Sequence, residues 1–293
     1  MNGRDPALVR ANARARLRRG MFLLPSLFTC GNIAAGFFSI TETIRSISGD
    51  THTHLDWAAI AILFAIPFDT LDGRIARMTN TTSEFGKELD SLADAITFGM
   101  APALLALIWG FHFLPDSISP QLLEHLRQAG AFICFLFLIG GVSRLARFNI
   151  SHDAQPTNPG RPGRKYFVGM PIPAAAGFLA ATVHLCYGYP VLSWWIALPW
   201  LVLVGLSGFL MVSTWRYWSF KDLNLLRPRS PIILVVMGII FFAIWNWSQP
   251  VLLIMGCTYV SSGILIRIGG LIRRYMGRGS RPTPKPNPEI QPG

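Results

Sequence analysis

Residues 68–99 read FDTLDGRIARMTNTTSEFGKELDSLADAITFG. This stretch decides the fold, because it sets Asp69, Asp72, Asp90 and Asp94 between apolar runs that are otherwise long enough to cross a bilayer. On a helix, Asp69 and Asp72 are i and i+3, and Asp90 and Asp94 are i and i+4, so each pair shares a face. The residues between Asp72 and Asp90 suffice for the end of one helix, a turn and the start of the next. Two antiparallel helices therefore aim four carboxylates at one point.

Outward from this stretch the chain is lipid-like. It has 293 residues, of which 51% are hydrophobic and 14% charged, against roughly a quarter charged in a soluble domain. The expected class is an all-α polytopic membrane protein with about eight transmembrane helices. The apolar runs fall at about 21–41, 54–76, 90–112, 129–147, 169–187, 193–214, 231–247 and 249–267, each near the roughly 20 residues a span needs. With both termini cytoplasmic, all of the 26 Lys and Arg except Arg45 and Arg127 fall on the inside, as the positive-inside rule requires. The net charge of +11 then describes one membrane face suited to anionic headgroups and phosphate-bearing substrates, not a nucleic-acid surface.

The tails and the lone polar residues add little chemistry. Residues 1–20 form a basic cytoplasmic tail whose Leu8, Val9 and Leu17 fit an amphipathic helix lying on the membrane. The first apolar run follows this basic stretch, but its length and Pro25 favour a retained helix over a cleaved signal. Residues 276–293 are Pro-rich and read as disordered, leaving 21–275 as the transmembrane domain. Cys30, Cys134, Cys186 and Cys257 lie in the apolar runs and read as small core residues, while His52 and His54 read as solvated loop residues. The aspartate pattern occurs once and no internal repeat is evident, which counts against a divalent-cation transporter.

Four unpaired carboxylates at membrane depth would cost on the order of 10 kcal/mol. Two readings offset that cost. Arg77 and Lys87 neutralise two of them in an ion-pair network, or the four oxygen ligands, with no soft ligand nearby, hold a hard divalent cation, Mg²⁺ or Mn²⁺. Gly73, Ala76 and Gly86 leave room among the carboxylates for a nucleotide or phosphate, although small residues in a span also serve close helix packing.

Asp69, Asp72, Gly73, Ala76, Arg77, Gly86, Asp90 and Asp94 fit D-x-x-D-G-x-x-A-R-x₈-G-x-x-x-D-x-x-x-D. In every fixed position and spacing this resembles the signature of the CDP-alcohol phosphatidyltransferases. The resemblance implies a polytopic helical enzyme, commonly a homodimer, in which an alcohol displaces CMP from a CDP-linked lipid. Asp69, Asp72 and Asp90 would hold divalent metal, Asp94 would take the proton from the incoming hydroxyl and touch a second ion, and Gly73, Ala76, Arg77 and Gly86 would bind CDP-diacylglycerol. A bacterial cytoplasmic (inner) membrane location with the site facing the cytoplasm is expected.

The signature leaves the acceptor open. LLPSLFTCGNIAAGFFSI, SRLARFNI and KYFVGMPIPAAAG resemble the serine-accepting branch of the family, which implies transfer to L-serine to give phosphatidylserine. The resemblance spans roughly residues 22–187, and Ser26 after Pro25 departs from an Asn of many relatives. Arg144, Arg147, Asn149 and Lys165 lie on the same face as the aspartates. Arg144 or Arg147 suits the serine carboxylate, and anchoring to the membrane face is the plainer role for the same residues. Glycerol 3-phosphate and inositol phosphate are the rival acceptors.

Overall fold

The structure, a computed structural model, describes residues 27–78, 84–115, 119–150, 166–218 and 231–276. The basic tail, Pro25, Ser26, Lys165 and nearly all of the Pro-rich tail lie outside the described residues. Eight helices occur within them: α1 (27–45), α2 (Thr51–Met78), α3 (Glu84–His112), α4 (Pro120–Ile150), α5 (Ile172–Leu185), α6 (Trp194–Val212), α7 (Pro231–Asn246) and α8 (Ser248–Met276). Each matches one expected span. Segments of α2, α3, α4, α6 and α8 are long and apolar enough to cross a membrane, and α5 and α7 are shorter apolar helices, so the chain is an all-α polytopic membrane protein.

Local signals explain where the ends differ from expectation. α4 starts well before the apolar run, because Ser119 caps it, its Oγ accepting from Leu122 N at 3.4 Å, and Pro120 supplies a first-turn φ at no hydrogen-bond cost. The break between α7 and α8 is a single residue, Trp247. Two short strands, β1 (Tyr166–Val168) and β2 (Arg216–Trp218), pair antiparallel with Phe167 opposite Tyr217, an element that hydropathy does not announce.

α5 is the hub. Its sequence IPAAAGFLAATVHL is buried on nearly every side, as expected of a helix apolar all round, and it packs on α2, α3 and α8. Its small residues let neighbours approach closely. α4 and α6 cross by the same means: a Cβ on Gly140 would lie 3.0 Å from the Gly208 carbonyl oxygen. At the entry to α5, Gly169 has φ +77° and donates to Trp215 O at 2.8 Å, while Met170 N donates to Leu210 O at 3.0 Å. A Cβ on Gly169 would meet the carbonyl oxygens of Met211 and Ser213, so both backbone conformation and backbone approach require glycine.

The bundle end away from the aspartates is held by buried polar contacts. His184 on α5 donates from Nδ1 to Asp56 Oδ1 on α2 at 2.6 Å, and its Nε2 accepts from the Ser248 hydroxyl on α8 at 2.9 Å. The acceptor-only carboxylate fixes this tautomer. Glu42, also buried, pairs with Arg45 at 2.8 Å and with His54. His54 is therefore an internal partner rather than a solvated loop residue, because the turn at 46–50 folds it back onto α1. His52 is the more open of the two, resting on Asp50 at 3.3 Å and stacked on Tyr189. Of the cysteines, Cys134 alone is a core residue, and Cys30, Cys186 and Cys257 are exposed on the surface of the bundle, all four as free thiols.

His184→Ala should destabilise the bundle by about 2 kcal/mol, because it strands the half-buried Asp56 carboxylate and removes a three-helix tie. A lower melting temperature in detergent, with activity per folded molecule retained, is the expected result. An unchanged melting temperature would mean that the contact contributes nothing.

Candidate active site

At the opposite end, α2 delivers Asp69, and α3 delivers Asp90 and Asp94 one turn apart. Carboxylate oxygens of all three lie within 4.8 Å of one another. Phe28 on Phe68, with ring centroids 6.0 Å apart, braces α1 against α2 beside Asp69. Asp72 lies one turn further along α2, followed by Gly73, Ala76 and Arg77; the side chains of Asp72, Ala76 and Arg77 are outside the described set. Gly73 and Gly86 are half-buried at the facing ends of α2 and α3.

Immediately after Asp94, α3 widens into a π-helical segment, Ala95–Met100, and a second one spans Ile108–His112. Such segments recur at functional sites, where one extra residue in a turn redirects side chains. The first locks onto α1: Thr97 Oγ1 donates to Asn32 O at 2.9 Å, and Asn32 Nδ2 donates to Asp94 Oδ1 at 3.3 Å. Gly36 permits this contact, since a Cβ there would lie 2.9 Å from Thr97 Cα and closer still to its Oγ1. Asn32 is fully buried. No spacing rule singles it out, and an amide within an apolar span is the available signal.

The ion-pair alternative for the cluster loses one of its two cations. Lys87 pairs with Glu84 one turn away at 2.7 Å, because both face solvent at the first turn of α3. Three carboxylates so close in a low-dielectric bundle repel one another unless a cation or proton intervenes, and an all-oxygen donor set without soft ligands suits a hard divalent cation. The cluster could thus hold a metal ion.

The expected acceptor residues separate. Arg144, on α4, is half-buried and has Tyr259, Arg147 and Asp94 as its electrostatic neighbours. Its Nε has no hydrogen-bond partner, and no carboxylate forms an ion pair with it among the described residues. Arg147 is exposed and packs its guanidinium against Gly169. The Asn149 amide donates to Ser91 Oγ at 2.9 Å, tying the end of α4 to the residue after Asp90.

The family model of the CDP-alcohol phosphatidyltransferases matches residues 22–205. The chain is 37% identical over 222 residues to a CDP-diacylglycerol–serine O-phosphatidyltransferase of Helicobacter pylori, covering 75% of this chain and 82% of the relative. It is 31% identical over 203 residues to the protein of the same description from Bacillus subtilis, covering 69% and 93%. It is 36% identical over 154 residues to the one from Saccharomyces cerevisiae, covering 52% and 49%.

Proposed function

We infer the reaction from one premise: the chain belongs to the CDP-alcohol phosphatidyltransferase family. It transfers the phosphatidyl group of CDP-diacylglycerol to the hydroxyl of L-serine, forming phosphatidylserine and releasing CMP. The observation that carries this reading is the convergence of three signature carboxylates whose oxygens lie within 4.8 Å of one another, with Asp94 among the electrostatic neighbours of the half-buried Arg144.

Asp69, Asp72, Asp90 and Asp94 would hold Mg²⁺ or Mn²⁺, which when bound offsets charge on the diphosphate and on departing CMP. Gly73, Ala76, Arg77 and Gly86 bind the cytidine diphosphate part of the lipid. Asp94 accepts the proton as the serine oxygen bonds to the lipid-bearing phosphorus and the bond from that phosphorus to the CMP oxygen breaks. Asn32, donating to Oδ1 of Asp94, fixes the carboxylate so that its other oxygen faces the nucleophile. In-line transfer depends above all on such positioning.

Arg144 binds the serine carboxylate. Its half-buried guanidinium has an Nε with no hydrogen-bond partner among the described residues, and a bidentate carboxylate would satisfy it. Arg147, Asn149 and Lys165 have lesser roles, as membrane-face cations or as supports. The lysine and arginine distribution favours a site open to the cytoplasm from a bacterial inner membrane, where soluble serine meets a lipid whose acyl chains stay in the bilayer. The enzyme acts as a homodimer built on the 21–275 domain, with 1–20 lying on the membrane and 276–293 outside the bundle.

The test is CMP release by purified protein in detergent with CDP-diacylglycerol and Mg²⁺ or Mn²⁺, comparing L-serine, glycerol 3-phosphate and inositol phosphate. Serine alone should support release. Arg144→Ala should raise the serine KM about tenfold or more, the scale of a lost charge-assisted hydrogen bond, whereas Arg147→Ala should mainly lower protein abundance. Release only with a phosphate-bearing alcohol would defeat the serine assignment while leaving the family chemistry in place.

A further inference from the structure

The bundle end away from the carboxylate cluster carries a second chemically ordered set of side chains. Asp56 on α2, His184 in the last turn of α5 and Ser248 at the first position of α8 form one hydrogen-bonded chain. His184 Nδ1 donates to Asp56 Oδ1 at 2.6 Å, and the Ser248 hydroxyl donates to His184 Nε2 at 2.9 Å. Carboxylate, imidazole and hydroxyl in this order are the parts of an activated serine, a constellation recognised by its geometry and not by its fold. His184 is buried and Ser248 half-buried, so the relay runs from the interior to a residue at the bundle surface.

Two backbone features hold the set. Gly188, at φ +70°, brings the turn after α5 against the start of α2, where a Cβ would meet His52 O and Asp56 N. Trp247, the single residue between α7 and α8, donates to Ala243 O at 2.8 Å and accepts from Val251 N at 3.2 Å. Trp247 therefore occupies the N-cap, where a serine would ordinarily bond the first-turn amides. Ser248 lies one residue later and gives its hydroxyl to His184 instead. The N–H groups of Ser248 and Gln249 then have no backbone acceptor among the described residues, and both sit at the positive end of α8.

We propose that Ser248 and His184 are the nucleophile and base of a second activity, hydrolysis of carboxylic esters at the membrane interface, with Asp56 as a positioning residue. Ser248 Oγ bonds to the ester carbonyl carbon while its proton passes to His184 Nε2. The bond from that carbon to the alcohol oxygen then breaks, and the alcohol leaves with the proton. Water attacks the acyl group in the same way, giving its proton to Nε2, and the carboxylic acid departs as Oγ takes the proton back. The free amides at the start of α8 face the charge that develops on the carbonyl oxygen. Trp245 and Trp247, 80% and 58% exposed, are interfacial residues, the depth at which lipid esters lie. The exposed Phe241 and Phe242 on α7 offer an apolar track for an acyl chain.

The test uses the full-length protein in detergent, with p-nitrophenyl butyrate as substrate and a fluorophosphonate as covalent probe, the modified residue being located by mass spectrometry. Ester turnover and modification of Ser248 are expected. Ser248→Ala should lower turnover at least about 10³-fold and abolish modification at that position, while CMP release stays at the parental level. Asp56→Asn, which favours the wrong imidazole tautomer, should lower turnover about 10⁴-fold. A parent protein left unmodified at Ser248, or a Ser248→Ala variant with parental ester turnover, would overturn the proposal and leave the chain as a structural tie. Because the probe reads Ser248 in the unaltered protein, a folding defect in a variant cannot mimic either result. Neither outcome bears on transfer to serine, which CMP release reports separately.

Discussion

Asp94→Asn should abolish serine-dependent CMP release, lowering kcat by at least about 10³-fold, the range of a lost general base that also holds metal. The protein should remain folded. The substituted amide has nearly the shape of the carboxylate and still presents an oxygen to Asn32 Nδ2, which reaches Asp94 Oδ1 at 3.3 Å. Removing one of three carboxylates whose oxygens lie within 4.8 Å also relieves like-charge repulsion. In excess chelator the variant should therefore melt no lower than the parent, and added Mn²⁺ should raise its melting temperature less. Retained activity would remove Asp94 from the reaction, and a large loss of stability would make its role structural.

The second large effect needs no change in any carboxylate. Gly36→Ala places a methyl group against the backbone of Thr97, at the π segment that immediately follows Asp94. The obstacle is main chain rather than the end of a flexible side chain, so α1 must move away from α3. Both contacts that depend on their approach, Thr97 to Asn32 O and Asn32 to Asp94, are then lost. A displacement of about 1 Å at a positioning contact can lower turnover about 10²-fold. The expected result is a loss of that size in kcat, with a modest fall in melting temperature and little change in serine KM. A drop in serine affinity alone would place the contact in acceptor binding instead.

Much of the site was legible because its chemistry is local in sequence. The spacing of Asp69 and Asp72, and of Asp90 and Asp94, placed each pair on one helical face, and the structure brings Asp69, Asp90 and Asp94 together. The eight apolar runs became eight helices for the same reason: burial in lipid or bundle imposes an unbroken hydrophobic length. What was not legible depends on partners far apart in the chain. Asn32 meets Asp94 across 62 positions, and His184 meets Asp56 across 128, and no periodicity encodes either pairing. Lys87 looked like a counter-ion for the aspartates, but Glu84 is nearer along its own helix. Tyr217 and Tyr259 come together through a three-residue strand pairing and a missing side chain at Gly263, neither of which hydropathy records.

The π segment Ala95–Met100 separates carrying the signature from being able to use it. Deleting any one residue between 95 and 100 leaves all eight signature positions and their spacings untouched, yet it removes the extra residue that widens the turn. The turn then closes to α-helical width with the helix on either side in nearly its original phase, because a widened turn is how a helix takes in one residue without rotating its flanks. What is lost is local: the wide turn that carries Thr97 to the Asn32 carbonyl, and with it the seat of the amide that donates to Asp94. The same deletion in the regular stretch Ala101–Leu107 would instead rotate Asp90 and Asp94 by about 100° relative to the helix that follows, one residue's worth of an α-helix. Among natural variants, both shortened chains would still match the pattern, so the position of an alignment gap after the last aspartate is informative where the motif itself is silent.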